Sequence, residues 1–252
     1  MKVLGLEASG TVAGVAVLED DKILAEYTIN HKKTHSKTLM PMIEEIKNRF
    51  DIDISTVDAI AVNKGPGSYT GLRIGSATAK GLGMAYDLPI VSVPTMESMA
   101  YNLWGAEGYV CPMIDARRNR VYTGIYYFSD GEIITHTDQD VVDVDDLLDS
   151  ICEMLEDEEK LYDDIIFLGD GVLIYRERIV ERLDKKAKFA PAHMNRQKAS
   201  SVASLGLKYL ERGETETASE HRPLYLMLSQ AEKERLDEGK SLVEPSDTTH
   251  RI

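Results

Sequence analysis

Residues 3–29 read VLGLEASGTVAGVAVLEDDKILAEYTI. Apolar and β-branched side chains dominate three runs in this stretch, at residues 3–8, 11–18 and 22–29, and the acidic turn at 19–21 separates the last two runs. Runs of this composition, bounded by turn residues, are typical of β-strands. The stretch therefore predicts a three-stranded β-meander at the start of the chain.

Helices and strands alternate after the meander. Apolar residues at three- and four-residue spacing, with charged residues between them, predict a helix at 35–50. The next predicted elements are a strand at 57–63, a helix at 71–86, a strand at 90–93 and a helix at 95–104. The predicted order of the first lobe, residues 1–105, is therefore βββαβαβα.

The same order begins again in the second half of the chain. Its predicted elements are strands at 109–114, 121–128 and 132–137, a helix at 143–156, a strand at 165–168 and helices at 172–183 and 199–211. A duplicated βββαβα order is the topology of the actin-like, ribonuclease-H-like α/β fold. We therefore predict two lobes, residues 1–105 and 106–230, followed by a flexible tail at 231–252 whose few large apolar residues cannot offset its ordering entropy.

Composition limits the class of protein. The 252 residues are 43% apolar, which is enough for a sizeable core in each of two lobes. No run approaches the about 18 consecutive apolar residues that a membrane-spanning helix needs, and the first residues lack a signal-peptide pattern. Cys111 and Cys152 stand far apart and form no CxxC pair. We therefore expect a cytoplasmic protein without a disulfide framework or a thiolate metal site.

The net charge disfavours autonomous nucleic-acid binding. The chain has 43 acidic and 29 basic residues, a formal net charge of −14, and such a chain repels phosphate backbones unless a local patch overrides the mean field. Two short basic clusters lie at residues 117–120 and 185–188. Because neither has interleaved aromatic residues that could stack on bases, both are interpreted as solvated turns.

A glycine-rich loop connects the strand at 57–63 to the helix at 71–86. Residues 65–75 read GPGSYTGLRIG. Backbone N–H groups in such a turn can receive an anion. The spacing is GxGxxxG, however, which is neither the GxGxxG of a dinucleotide site nor a P-loop, because no GK[ST] follows. A phosphate cradle and a tight structural turn both remain as interpretations.

Small residues recur along the helix that follows this loop. Gly71, Gly75, Ala79 and Gly83 are four residues apart and therefore lie on one narrow face. A mid-helix glycine costs about 1 kcal/mol relative to alanine, so this stripe indicates close approach by another backbone. The stripe packs either on the chain's own sheet or first helix, or against a helix of a partner protein.

The first helix adds to the second interpretation. Once Leu39 and Ile43 face the core, Met40 and Met42 fall on other faces, and methionine adapts well to an interface. We therefore predict a two-helix surface that forms a four-helix bundle with a partner. Its candidate residues are His35, Leu39, Met42, Gly71, Leu72, Gly75, Ser76, Ala79 and Gly83.

Four segments of the chain stand out together: the loop at 65–75, LEAS at 6–9, CPMIDARR at 111–118 and PLYL at 223–226. Together they resemble the TsaB family, formerly called YeaZ. The resemblance spans residues 1–230. This family belongs to the bacterial machinery that makes threonylcarbamoyladenosine at position 37 of tRNA, so the resemblance implies an accessory role in that modification.

The resemblance also implies partners. It implies an actin-like fold, a homodimer when the protein is alone, a heterodimer with the catalytic TsaD subunit, association of the TsaE ATPase, and at most indirect contact with tRNA. TsaD carries a metal-binding Val-Asn-His-x-x-x-His segment, but here Thr95 and Met99 stand at the histidine positions. Neither is a suitable ligand at that spacing. The chain is therefore expected to need no cofactor and to have no catalytic residues of its own. Met227 stands where an arginine is usual in the family.

An alternative function rests on three carboxylates. Glu7, Asp115 and Asp170 follow or end predicted strands, where nucleotide-handling members of this fold keep carboxylates for Mg²⁺. This pattern favours an ATP-dependent kinase or hydrolase, or weak nucleotide binding without catalysis. Residues 8–10 read Ala-Ser-Gly, however, and lack the Asp-x-Gly-Thr pattern that seats phosphates in such enzymes.

A metal site is the remaining hypothesis. His31 and His35 form an HxxxH spacing. No glutamate stands between them, two lysines do, and the pair straddles a strand end and a helix start, so surface histidines are the preferred interpretation.

Overall fold

The computed structural model describes residues 1–31 and 35–227. The first half of the chain forms a mixed five-stranded sheet. Its strands are β1 (Lys2–Glu7), β2 (Val12–Glu19), β3 (Lys22–Asn30), β4 (Ala59–Gly65) and β5 (Ile90–Pro94). Strand β1 pairs antiparallel with β2 and parallel with β4, which gives the order β3-β2-β1-β4-β5.

The second half repeats this arrangement. Its strands are β6 (Tyr109–Arg117), β7 (Arg120–Ser129), β8 (Glu132–Asp143), β9 (Ile165–Leu168) and β10 (Ala187–Phe189), in the order β8-β7-β6-β9-β10. Each sheet therefore has an antiparallel meander at one side and parallel strands at the other. The predicted actin-like, ribonuclease-H-like α/β fold with a duplicated βββαβα order is confirmed.

Strand β10 was missed, because the basic cluster at 185–188 was interpreted as a turn. Ala187 and Phe189 pack against the apolar core of the second sheet, while Lys188 between them is exposed. This alternation is the pattern of a half-buried edge strand. A strand of three residues is too short for this alternation to be recognised in the sequence beside the neighbouring lysines.

Six α-helices cover the sheets. They are α1 (Leu39–Phe50), α2 (Tyr69–Tyr86), α3 (Thr95–Ala100), α4 (Val144–Glu156), α5 (Asp170–Leu183) and α6 (Ala199–Glu211). A 3-10 turn at His35–Lys37 replaces the first part of the helix predicted at 35–50. Helices α1 and α2 lie on one face of the first sheet, where Leu4 and Leu6 of β1 join their core. Helices α4 and α5 cover the outer face of the second sheet.

The inner faces of the two sheets are covered by α3 and α6. Met96 and Met99 of α3 pack on the second sheet, whereas Val202 and Leu205 of α6 pack on the first. The predicted boundary at residue 106 assigns α6 to the second lobe. In the structure, however, α6 packs on the sheet of the first lobe. Gly206 explains the close fit, because a Cβ there would overlap the Ala61 side chain.

The segment after α6 also returns to the first sheet. The backbones of Glu216 and Ile90 exchange two hydrogen bonds of 2.8 and 2.9 Å. Further along, the Leu224 N–H donates to the Lys64 carbonyl at 2.5 Å. The predicted tail at 231–252 lies outside the described residues. Residues 1–31 and 35–227 contain no helix that is long and apolar enough to cross a membrane.

Candidate functional site

A cleft of about 730 Å³ opens between the two lobes at the carboxyl ends of β1, β4 and β6. Each sheet reaches the cleft with the turn that follows its first strand. The cleft is lined by residues 9–11, 67–70, 114–118, 120, 122, 170 and 224–227. It therefore contains part of the glycine-rich loop and two of the three predicted carboxylates.

The glycine-rich loop has structural reasons for its glycines. Gly65 has a φ of +118°, and a Cβ there would overlap the Leu224 carbonyl oxygen. At Gly67 a Cβ would overlap the carbonyl oxygen of Ser9. The Ser68 N–H donates to that same Ser9 oxygen at 2.7 Å, and the Ser68 hydroxyl accepts from Gly71 N–H at 3.3 Å as the N-cap of α2. These contacts support the tight structural turn.

Glu7 does not line the cleft, so the prediction that it joins Asp115 and Asp170 at a nucleotide-handling site is wrong. Its side chain is fully buried. Its carboxylate accepts hydrogen bonds from the Ser9 N–H and the Ser9 hydroxyl, both at 2.6 Å, and from the Asn63 amide. Asn63 in turn accepts from the Ser98 hydroxyl at 3.0 Å. Burial raises the pKa of Glu7 to about 7 despite these hydrogen bonds. The network ties β1, β4 and α3 together beneath the cleft.

Asp115 and Asp170 lie together in the cleft. The Asp115 N–H donates to Asp170 Oδ1 at 3.0 Å, and the Arg117 N–H donates to Asp115 Oδ1 at 2.9 Å. Burial raises the pKa of Asp170, and the hydrogen bond from the Asp115 N–H opposes this shift only in part. The described residues hold no cluster of three or more metal-ligating side chains. Of the three predicted carboxylates, only Asp115 and Asp170 line the cleft, and each accepts a hydrogen bond from a backbone N–H.

A cluster of arginines in the cleft was interpreted from the sequence as a solvated turn. Arg117, Arg118 and Arg120 all line the cleft from the hairpin between β6 and β7. Within the described ranges, none of their guanidinium groups makes a hydrogen bond or an ion pair. The sequence contained a signal for this placement, because the three arginines stand two, three and five residues after Asp115, at the end of a strand that enters the cleft.

Gln139 connects the two lobes, and no sequence motif pointed to it. Its Nε2 donates to the Gly65 carbonyl at 3.1 Å, and its Oε1 accepts from the Met96 N–H at 3.2 Å. Strand β8 thereby contacts both the glycine-rich loop and the start of α3. Met227, the position where the family has arginine, lines the cleft close to this loop.

The small-residue stripe of α2 faces the chain's own sheet. Gly71, Gly75, Ala79 and Gly83 are all buried. A Cβ on Gly71 would overlap the Ala8 carbonyl oxygen, and a Cβ on Gly75 would lie 3.3 Å from the Ala8 side chain. The interpretation of this stripe as an open face for a partner helix is wrong, because the sheet already occupies the space that the missing side chains leave.

Four other candidate partner-binding residues are also buried. Leu72 and Ser76 of α2, and Leu39 and Met42 of α1, are each at most 5% exposed. Met42 belongs to the first core, so its placement outside that core was wrong. His35 is partly exposed, and its Nε2 is hydrogen-bonded to the Gly10 carbonyl at 2.8 Å.

The opposite face of α2 is open to solvent. Its exposed residues at helical spacing are Thr70, Arg73, Ala77, Gly81 and Met84. We call this set the outward stripe. A Cβ on Gly81 would meet nothing within 4 Å, and Met84 is 74% exposed. Met40 of the adjoining α1 is 41% exposed. Small residues and methionines are therefore exposed on both helices, but at positions different from those predicted.

Comparison with known proteins identifies relatives over almost the whole chain. A family model described as TsaD, tRNA N6-adenosine threonylcarbamoyltransferase, matches residues 22–235. The chain is 34% identical to the tRNA threonylcarbamoyladenosine biosynthesis protein TsaB of Bacillus subtilis over 242 residues, which is 95% of this chain and 100% of that protein. It is 31% identical to TsaB of Escherichia coli over 128 residues, 50% of this chain and 55% of that protein.

A solved structure shares the architecture. YeaZ from Pseudomonas aeruginosa superposes with a TM-score of 0.72 at 28% identity, covering 89% of this chain and 99% of that one. The similarity therefore extends through both lobes and across the cleft between them.

Proposed function

Because the chain belongs to the TsaB family of tRNA threonylcarbamoyladenosine biosynthesis proteins, we propose that it is a non-catalytic scaffold that binds and activates a TsaD-type transferase. The family places it in the biosynthesis of this modified nucleoside. The scaffold role, the TsaD-type partner, association of a TsaE-type ATPase and a cytoplasmic location are parts of the proposal.

The positions that hold metal in the TsaD pattern support an accessory role. Thr95 and Met99 are both fully buried at the start of α3. A hydroxyl and a thioether in a closed apolar environment are poor ligands for a divalent ion. The proposal therefore assigns the transfer chemistry to the partner subunit.

The docking surface in this proposal is the outward stripe of α2 together with Met40 of α1. Ala77 and Gly81 let a second helix approach closely, and the exposed side chains of Met40 and Met84 provide adaptable apolar contacts. The same face would form the homodimer when the protein is alone. This surface is the observation that carries the proposal, because α1 and α2 leave it unoccupied in the monomer while their other faces fill the core.

Gly81→Arg is expected to weaken partner binding strongly without unfolding the protein. Position 81 is exposed and has open space around it, so an arginine there projects into solvent and blocks a close helix approach. We expect affinity for the TsaD-type subunit to fall about thirtyfold or more, the loss of a hot-spot contact. Isothermal titration calorimetry with the purified subunit measures this.

Ser150→Arg, at an exposed position on α4, is the matched control and should bind normally. Unchanged partner affinity in Gly81→Arg would rule out this docking face. Sedimentation of each variant alone tests whether the homodimer uses the same surface.

A reconstituted modification assay tests the function itself. Nucleoside formation in tRNA should require this chain together with its partners, and the chain alone should turn over neither tRNA nor ATP. ATP hydrolysis by the purified chain alone would instead favour the kinase or hydrolase alternative. Full modification by the partners without this chain would contradict the scaffold role.

A further inference from the structure

The hairpin between β6 and β7 concentrates positive charge in a strongly acidic protein. Against a net charge of −14, it places Arg117, Arg118 and Arg120 within four residues of one another. Arg117 and Arg118 are exposed and Arg120 is partly exposed, and all three line the interlobe cleft. Like charges this close repel each other, and no carboxylate in the described part of the chain forms an ion pair with them.

The backbone of this hairpin is held in an uncommon conformation. Arg117, Arg118 and Asn119 have φ angles of 63°, 54° and 60°. Arg118 and Asn119 are the two central residues of the hairpin turn, where positive φ is usual, whereas the left-handed conformation of Arg117 is uncommon for a non-glycine residue and persists only where surrounding contacts fix it. The arginines are therefore presented by a rigid turn rather than by a freely moving loop.

Asn119 provides those surrounding contacts. Its Nδ2 donates to both carboxylate oxygens of Asp143 at 2.9 and 3.0 Å, and its Oδ1 accepts from Arg178 Nη1 at 2.6 Å. Its backbone carbonyl accepts from the Val144 N–H at 2.9 Å. The turn is thus anchored to the start of α4 and to α5. An anchored backbone keeps the three arginine side chains near one another, which lowers the conformational cost of bringing them onto one anion.

The shape of the cleft around the arginines indicates which kind of anion can bind there. The arginines face a cleft of about 730 Å³, a volume in the range of small-molecule sites, and not an open convex surface that would follow a nucleic-acid backbone. Exposed Ser68 and Thr70, at the start of α2, line the same cleft. A guanidinium pairs with two phosphate oxygens at once, so several of them together fit a ligand with adjacent phosphates.

The two carboxylates of the cleft do not cancel this charge. Asp115 and Asp170 each accept a backbone N–H, and three arginines outnumber them. Glu7, the third carboxylate that a magnesium-dependent arrangement would use, is sealed beneath the cleft. Phosphate binding here therefore relies on guanidinium groups.

We propose that the interlobe cleft binds a pyrophosphate-containing anion, free or as part of a nucleotide, through Arg117, Arg118 and Arg120 and without a divalent metal. This inference is independent of the scaffold role, because it concerns the isolated chain. Three probes distinguish free pyrophosphate from a nucleotide as the ligand: inorganic pyrophosphate, ADP and adenosine.

Isothermal titration calorimetry of the full chain in EDTA tests the proposal. We expect pyrophosphate and ADP to bind, adenosine not to bind, and the affinity to fall with added salt. The Arg117→Gln/Arg118→Gln variant should lose about tenfold or more in affinity, because charge-assisted hydrogen bonds are lost. ADP binding much more tightly than pyrophosphate would identify a nucleotide as the ligand, and equal affinities would identify the pyrophosphate group alone.

Lys185→Gln/Lys186→Gln is the matched control. It removes two positive charges from the other basic cluster, whose residues do not line this cleft, and should bind the probes as the unaltered protein does. Circular dichroism checks that both variants fold. The proposal is overturned if neither phosphate probe binds, if binding requires Mg²⁺, if both double variants bind equally well, or if a short RNA binds through these arginines while pyrophosphate does not.

Discussion

Gly71→Ala is expected to lower the free energy of unfolding by about 3 kcal/mol, the upper end of the range for inserting a methyl group into a packed site. The added Cβ would overlap the Ala8 carbonyl oxygen and lie 3.2 Å from the His35 ring. Because the Ala8 carbonyl oxygen is a backbone atom, in the turn that follows β1, the clash cannot be relieved by rotating a side chain. The whole start of α2 would have to move away from the sheet.

Gly81→Ala in the same helix is the matched control and is expected to have the opposite sign. No atom lies within 4 Å of the new Cβ, so only the change in helix propensity remains, and that should stabilise the protein by about 0.5 to 1 kcal/mol. Urea denaturation of both variants measures the difference. Equal effects of the two substitutions would mean that the stripe at Gly71 does not pack on the sheet.

Glu7→Gln is expected to change how stability depends on pH. Burial raises the pKa of Glu7 from 4.5 to about 7. Below pH 4.5 both the folded and the unfolded chain keep the proton. Between pH 4.5 and 7 the unfolded chain releases it while the folded chain retains it, so the stability of the wild type falls as pH rises. The accumulated loss is about 3 kcal/mol, at about 1.4 kcal/mol per pH unit.

The glutamine variant lacks this titration, so its stability relative to wild type should rise by about 3 kcal/mol between pH 4.5 and 8. Guanidinium denaturation at pH 4.5, 6 and 8 measures the difference, which cancels the contributions of other titrating groups. Glu44→Gln, on the exposed side of α1, is the control for removing a carboxylate outside the buried network. A difference between wild type and Glu7→Gln that stays constant across this range would contradict a proton held by buried Glu7.

Local patterns predicted most of the elements correctly. The meander of β1 to β3 followed from three apolar runs, and the duplicated order followed from its recurrence at β6. Boundaries were less accurate where tertiary contacts set them. Strand β8 continues to Asp143 because it pairs along β7 and its Gln139 reaches across to the glycine-rich loop.

The candidate site was only partly predictable. Asp115 and Asp170 do meet in the cleft, because both stand at the carboxyl ends of neighbouring strands of one sheet. Glu7 occupies the corresponding place in the first sheet, but it is fully buried and hydrogen-bonded to Asn63, which Ser98 of α3 contacts in turn. The arginines at 117, 118 and 120 were interpreted as a solvated turn from composition alone. Composition does not show that this turn faces the cleft.

The sequence by itself determined the order of helices and strands, the duplication, the family and the existence of a small-residue stripe on α2. Only the tertiary structure decided that this stripe faces the sheet and that the opposite face, with Ala77, Gly81 and Met84, is open. The physical reason is that spacing fixes which residues share a face of a helix, whereas the packing of α1, α2 and β1 fixes which face is buried.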